Sequence, residues 1–233
     1  MIGFDSHSPN LYDLLSDDND PDYDIGNVVV NSILNTFDFN SICKYYNPNE
    51  LNGLFKSDDN NFFIIHINAR SLSKNFDNLK VLLASIGTDP DVIGISKSWL
   101  TDHNSHKFNL DGYHSYHLCR PYDSHGGVSL FVKKSIKSFL LDSHSFINRD
   151  VEILTVCLPS PDPNKKNTVI SCIYRPASKH KRVRSFSNKL SSILNESTFT
   201  KNKVFLIGDW NINLLELSKH NPTHNFLNMM QSH

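Results

Sequence analysis

The chain is 233 residues long, with a formal net charge of −1, 39% apolar residues and 11% aromatics. That length holds one large domain or two small ones, and no apolar run approaches the roughly 20 residues that a membrane-spanning helix needs. Met1 to Asn10 has neither the basic nor the apolar segment of a secretory signal, so none is expected.

The overall charge averages two unlike segments. Residues 1–60 carry 11 Asp and Glu against 2 Lys and Arg, net −9, and residues 61–233 carry 13 against 21, net +8. Residues 5–24 hold seven Asp and no Lys or Arg, a composition that favours a solvated, disordered tail. Apolar patches at Val28–Val30, Ile33–Leu34 and Tyr45–Tyr46 leave room for one or two short helices. Residues 1–60 are therefore expected to be an acidic, partly disordered leader. The Ser57–Asn61 turn opens a second unit, residues 61–233.

In that unit the apolar run Phe62–Ile67 predicts a strand that breaks at Asn68. Phe76, Leu79, Leu82, Leu83 and Ile86 recur at helical spacing, with Gly87 placed as a C-cap. Further strands are predicted at Asp91–Ser96, Tyr113–Leu118, Gly127–Lys133, Val151–Leu158, Thr168–Tyr174 and Lys203–Ile207. Helices are predicted at Val183–Leu194 and Thr223–Met230. Seven strands interspersed with helices predict an α/β fold with mixed sheets: parallel pairing around the first helix, antiparallel pairing among the middle strands. The four cysteines, Cys43, Cys119, Cys157 and Cys172, are 76, 38 and 15 residues apart, without zinc-ligand or redox spacing. Cys157 and Cys172 fall in apolar runs where a buried free thiol is the ordinary occupant, and a reduced, intracellular protein is the expectation.

Three predicted strands end in chemically useful polar groups: Asn68-Ala69-Arg70-Ser71, Tyr174-Arg175-Pro176 and Gly208-Asp209-Trp210-Asn211. A carboxylate and an amide at a strand end can hold a cation, activate water or orient a phosphate oxygen. Singly, each is an ordinary set of turn residues. In order, the set His66-Ile67-Asn68-Ala69-Arg70-Ser71-Leu72, Ile95-Ser96-Lys97-Ser98-Trp99-Leu100, Leu110-Asp111-Gly112-Tyr113, Arg120, Gly126-Gly127-Val128, Ile173-Tyr174-Arg175-Pro176 and Leu206-Ile207-Gly208-Asp209-Trp210-Asn211 resembles the endonuclease/exonuclease/phosphatase superfamily. Within it, the set is similar to the apurinic-endonuclease-like domain of non-LTR retrotransposons of the jockey and chicken-repeat kind.

The resemblance covers residues 62–215 and implies a four-layer α/β/β/α sandwich whose active site lies at one end of two mixed sheets. It implies phosphodiester hydrolysis with Mg²⁺ or Mn²⁺, DNA as partner, no small-molecule cofactor, no membrane and a nuclear monomer. By position, Asn68 matches a metal-side asparagine, Tyr174 a phosphate-contacting tyrosine, and Asp209 and Asn211 the water-activating and phosphate-orienting pair. Asn68 and Asp209 would be the metal ligands, and the Arg175 guanidinium suits a phosphate.

Two departures follow. Where the family has the glutamate that is its principal metal ligand, this chain has Lys97. A unit-charge pair about 4 Å apart at an effective dielectric near 20 is worth roughly 4 kcal/mol, so exchanging attraction for repulsion should remove metal binding. Lys97 either pairs with Asp209 in the metal's place or swings into solvent. The family's terminal Ser-Asp-His has no counterpart, since the sequence reaches Gln231-Ser232-His233 before such a strand, and a domain truncated at its C-terminus is expected. His233, and the His220/His224 pair interrupted by Pro222, are read as incidental.

Residues 163–195 carry eight Lys and Arg and no acid, clustered as Lys165-Lys166 and Lys179-His180-Lys181-Arg182-Val183-Arg184. Lys181, Arg182 and Arg184 are candidate contacts to a nucleic-acid backbone, against the alternative of a solvated loop and helix start. The leading expectation is a target-DNA-nicking endonuclease domain, impaired or inactive. A non-catalytic DNA-binding pseudoenzyme or decayed reading frame comes next, then another superfamily phosphodiesterase such as an inositol-polyphosphate phosphatase, sphingomyelinase or deadenylase.

Overall fold

Alternating residues of the body strands enter different cores, and this alternation builds the layers. The computed structural model describes Tyr46, Glu50 and residues 62–233 apart from 122–124, 178–182 and 213–220. The expected leader lies outside the described residues except for Tyr46 and Glu50, and Tyr46 packs against the first core.

The first sheet contains β1 (Ile64–Asn68), β2 (Val92–Ser96), β3 (Tyr113–Leu118) and β4 (Val128–Lys133) in the order β1-β2-β4-β3. β1 and β2 are parallel, joined through helix α1 (Leu72–Ile86), and both contacts of β4 are antiparallel. β4 thus inserts between β2 and β3 rather than continuing a simple meander. The second sheet runs β5-β7-β8-β9, with β5 (Phe139–Leu140), β7 (Glu152–Leu158), β8 (Thr168–Tyr174) and β9 (Lys203–Asp209). β6 (Phe146–Ile147) also pairs with β7, and β8 and β9 are parallel across helices α2 (Val183–Leu194) and α3 (Ser197–Thr200). Helix α4 (Asn221–Gln231) closes the described chain.

Val92, Leu130, Leu154, Val156, Ile170 and Cys172 fill the space between the sheets. Outside the first sheet, Leu72, Leu79 and Ile86 of α1 pack on Ile65, Ile93, Ile95 and Phe131. Outside the second, Phe186, Leu190 and Ile193 of α2, with Phe226 of α4, pack on Ile153, Val169 and Ile173. The order helix, sheet, sheet, helix is the expected four-layer sandwich. Cys119, Cys157 and Cys172 are free, and the last two are buried. No helix among the described residues is long and apolar enough to cross a membrane.

Local chemistry sets the boundaries. Ser71 Oγ caps α1 by accepting from Lys74 N at 3.4 Å, and Gly87 ends it at φ 70°. β9 runs two residues past the predicted Ile207 because Gly208 and Asp209 pair with Ile173 and Tyr174. Gly208 has φ +148°, and a Cβ there would overlap the Ile173 carbonyl oxygen and lie 2.7 Å from its carbon, so glycine alone lets β9 lie against β8 at this point.

Candidate functional site

β1 and β9 belong to different sheets, yet their C-terminal ends meet. Asn68 closes β1, Asp209 closes β9, and Asn68 Nδ2 donates to Asp209 Oδ2 at 2.9 Å. Tyr174 ends the neighbouring β8, and Arg175 N donates to Asp209 O at 2.9 Å. Lys97 leaves β2 at the same end. Its ammonium does not swing into solvent: Nζ lies 3.4 Å from Asp209 Oδ2 and 5.5 Å from the centre of the Tyr174 ring. The Lys97 and Asp209 side chains are 17% and 12% exposed.

The backbone around this cluster is held away from ordinary conformations. The non-glycine residues with positive φ among the described residues are Arg70, Ser71, Lys97, Trp99 and Asn211, all in the segments leaving β1, β2 and β9. Such conformations cost of order 1 kcal/mol or more each and persist where neighbouring structure imposes them. Here Ser71 N donates to Lys97 O at 2.9 Å, Leu72 N to Ser98 O at 2.8 Å, and Trp99 N to Gly126 O at 2.8 Å.

Arg175 and Asn211 hold each other and the neighbouring backbone, and Arg175 Nη1 is buried without a partner. The Arg175 guanidinium is buried and donates through Nε to Trp210 O at 2.6 Å and through Nη2 to Asn211 O. Asn211 Nδ2 donates to Arg175 O at 2.6 Å, and Asn211 N to Asp209 Oδ1 at 3.2 Å. The two side chains therefore lock the β8 and β9 ends together and steady the Asp209 carboxylate. Burial pulls the Arg175 pKa below its ordinary value, with Asp209 opposing the shift. Burial, followed by the negative charges of Asp209 and Glu152, pushes the Tyr174 hydroxyl up to about 12, so at neutral pH it is a proton donor. Desolvation lowers the pKa of partly buried His66, whose Nε2 lies 3.2 Å from Ser96 Oγ, to about 4, so the ring is neutral.

Glu152 was not singled out by the sequence. It is fully buried at the start of β7 and pairs with Arg120, whose Nε donates to Oε1 at 2.6 Å, while Gly127 N donates to Oε2 at 2.6 Å. It ties the loop before β4 to the opposite sheet. A charged residue within the otherwise apolar run Val151-Glu152-Ile153-Leu154 was the available signal.

The basic residues divide. Arg184 lies exposed in the first turn of α2, while Lys181 and Arg182 lie outside the described residues. Lys165 and Lys166 precede β8, whereas Tyr174 ends it, so seven strand residues, about 23 Å, separate that pair from the site end. Lys165-Lys166 is thus not beside the Asp209 cluster. His233 Nε2 lies 3.0 Å from Ser191 Oγ of α2, and His224 Nδ1 lies 3.2 Å from Asn228 Nδ2 within α4.

A divalent cation does not fit these side chains. The cluster offers one carboxylate, Asp209, and one buried amide oxygen without a partner, Asn68 Oδ1, with an ammonium beside them. Mg²⁺ is held through one or two carboxylates with waters and phosphate, and here the one carboxylate already faces an ammonium that would repel the ion. No group of three or more His, Cys, Asp or Glu that could hold a metal occurs among the described residues.

No family model matches the chain, and no curated protein matches it. Solved structures do. The AP endonuclease LMAP from Leishmania major is similar at a TM-score of 0.54 and 18% identity, over 73% of this chain and 66% of that one. The two-sheet α/β fold is similar to the fold of that AP endonuclease. The catalytic domain of Xenopus laevis APE2 is similar at a TM-score of 0.52 and 18% identity, over 72% of this chain and 67% of that one. The 3′ phosphatase NExo from Neisseria, bound to a product DNA hairpin, is similar at a TM-score of 0.52 and 14% identity, over 74% and 71%. The chain thus spans about two thirds of the length of the first two.

Proposed function

We propose that this chain is a retrotransposon-type, apurinic-endonuclease-like domain that engages the phosphodiester backbone of DNA at the Asn68–Asp209 end of the sandwich and is impaired in hydrolysing it. The observation that carries this reading is the hydrogen bond from Asn68 to Asp209, made across two sheets at 2.9 Å. It gathers an amide, a carboxylate and the protonated Tyr174 hydroxyl at one end of a fold shared with DNA-processing proteins. Asp209 is the acceptor for a proton from water, Tyr174 a donor to a phosphate oxygen, and Asn68 the group that orients Asp209. Impairment follows from Lys97, which already neutralises the one carboxylate available to activate water. The same ion pair favours a second reading, a DNA-binding protein without catalysis. Both place the protein in the nucleus, where its DNA target lies.

The test is fluorescence anisotropy with a duplex oligonucleotide across a salt series, beside nicking of supercoiled plasmid with Mg²⁺. Affinity should fall with salt at a log–log slope of about −0.9 for each phosphate neutralised, and the plasmid should remain supercoiled. An affinity flat in salt would overturn the DNA reading. Efficient nicking would overturn the impairment.

A further inference from the structure

We propose that the Lys97 ammonium is the resident cation of this site, and that the site takes a phosphate anion directly, with no divalent metal. This rests on the phosphodiester-site reading above and names how that site holds its ligand. The turn after β2 places Lys97 at φ +52°, a left-handed conformation held by the Ser71 N–Lys97 O, Leu72 N–Ser98 O and Ser98 N–Gly127 O hydrogen bonds. A long cationic side chain that simply escaped to solvent would be largely exposed. This one is 17% exposed, between Asp209 and the face of Tyr174.

The pairing leaves the ammonium available. At 3.4 Å it is farther from Asp209 Oδ2 than the 2.7–2.9 Å of a strong charge-assisted bond, and that oxygen already accepts from Asn68 Nδ2. An ammonium has three donors, and Asp209 meets at most one of them. The pair of one carboxylate and one ammonium sums to zero, so an incoming phosphate meets no net negative charge from it, and the cation is attached to the chain. An ammonium is not a Lewis acid, which separates phosphate binding from phosphate hydrolysis.

The full chain is titrated with Mn²⁺, followed by the electron paramagnetic resonance of the free ion, and duplex binding is measured by anisotropy in EDTA and in Mg²⁺. Wild type should take up no Mn²⁺ that Asp209→Asn abolishes, and its DNA affinity should agree within about twofold in EDTA and Mg²⁺. Lys97→Gln should weaken DNA about tenfold in both, the scale of one charge-assisted hydrogen bond, and Lys97→Arg should restore binding. Lys97→Glu should gain Mn²⁺ uptake that is lost again with Asp209→Asn. Circular-dichroism melts confirm that each variant folds. Mn²⁺ uptake by wild type that depends on Asp209, or unchanged anion binding in Lys97→Gln, would overturn the proposal. If wild type binds no DNA, the functional reading fails separately. The resident cation is then judged by the Mn²⁺ titration and by ³¹P line broadening of inorganic phosphate, which must be smaller in Lys97→Gln than in wild type.

Discussion

Replacing Gly94 by alanine probes how closely the two sheets approach. Gly94 lies in the middle of β2, and a Cβ there would overlap Ile207 Cδ1 of β9 and lie 3.2 Å from its Cγ1 and 3.4 Å from Cys172 Sγ. The obstacle is the end of a side chain, so Ile207 can yield by leaving its preferred rotamer. Overpacking of this kind costs about 1–3 kcal/mol. For a domain of this size, each kcal/mol moves Tm by about 2–4 °C, so Gly94→Ala should lower it by roughly 2–12 °C. Ile207→Val removes the clashing Cδ1 and costs about 1 kcal/mol alone. Combined with Gly94→Ala it should remove most of the clash, so the double variant should be about 1–2 kcal/mol more stable than additivity gives. Gly208→Ala is the contrast, because its Cβ meets the Ile173 backbone at a φ that L-residues rarely adopt. Repacking cannot relieve that clash, and β9 would have to lift from β8, a loss of about 4 kcal/mol or more. Thermal melts and urea titrations measure all four proteins. Strict additivity of the Gly94 and Ile207 changes, or a Gly208→Ala protein that melts with wild type, would refute the assigned sheet spacing.

Glu152→Gln leaves Arg120 facing a neutral amide and weakens the acceptor for Gly127 N, so urea titration should show a loss of about 3 kcal/mol. Tyr174 has a folded pKa of about 12, above the ordinary value of 10. Between those pH values the unfolded chain loses the proton and the folded chain keeps it, so this contribution is whole below pH 10 and declines as pH rises towards 12. Tyr174→Phe should therefore lose less stability than wild type between pH 9 and 11, and an equal loss in both proteins would refute the assignment.

The seven longer strands and three of the helices were legible because their signals are local: apolar runs, helical spacing and a terminal glycine. β5 and β6 were not, since two residues carry no periodicity. Nor was the insertion of β4 between β2 and β3, because an apolar strand does not state its neighbour. At the site, Asn68, Tyr174 and Asp209 stand out as polar residues ending apolar strands. The sequence alone left Lys97 two destinations, solvent or Asp209, 112 positions later. It also clustered Lys165-Lys166 among the basic residues of 163–195 and left their distance from the site open. Tertiary structure decided both, because strand direction determines which end a residue occupies and sheet stacking determines what it meets there. β8 carries Lys165-Lys166 away from Asp209, the β8–β9 pairing turns Arg175 onto backbone carbonyls, and the apposed ends of β1, β2 and β9 bring Lys97 to its carboxylate. Residue types and periodicity determined which groups were present, while their partners depended on contacts between segments distant in the chain.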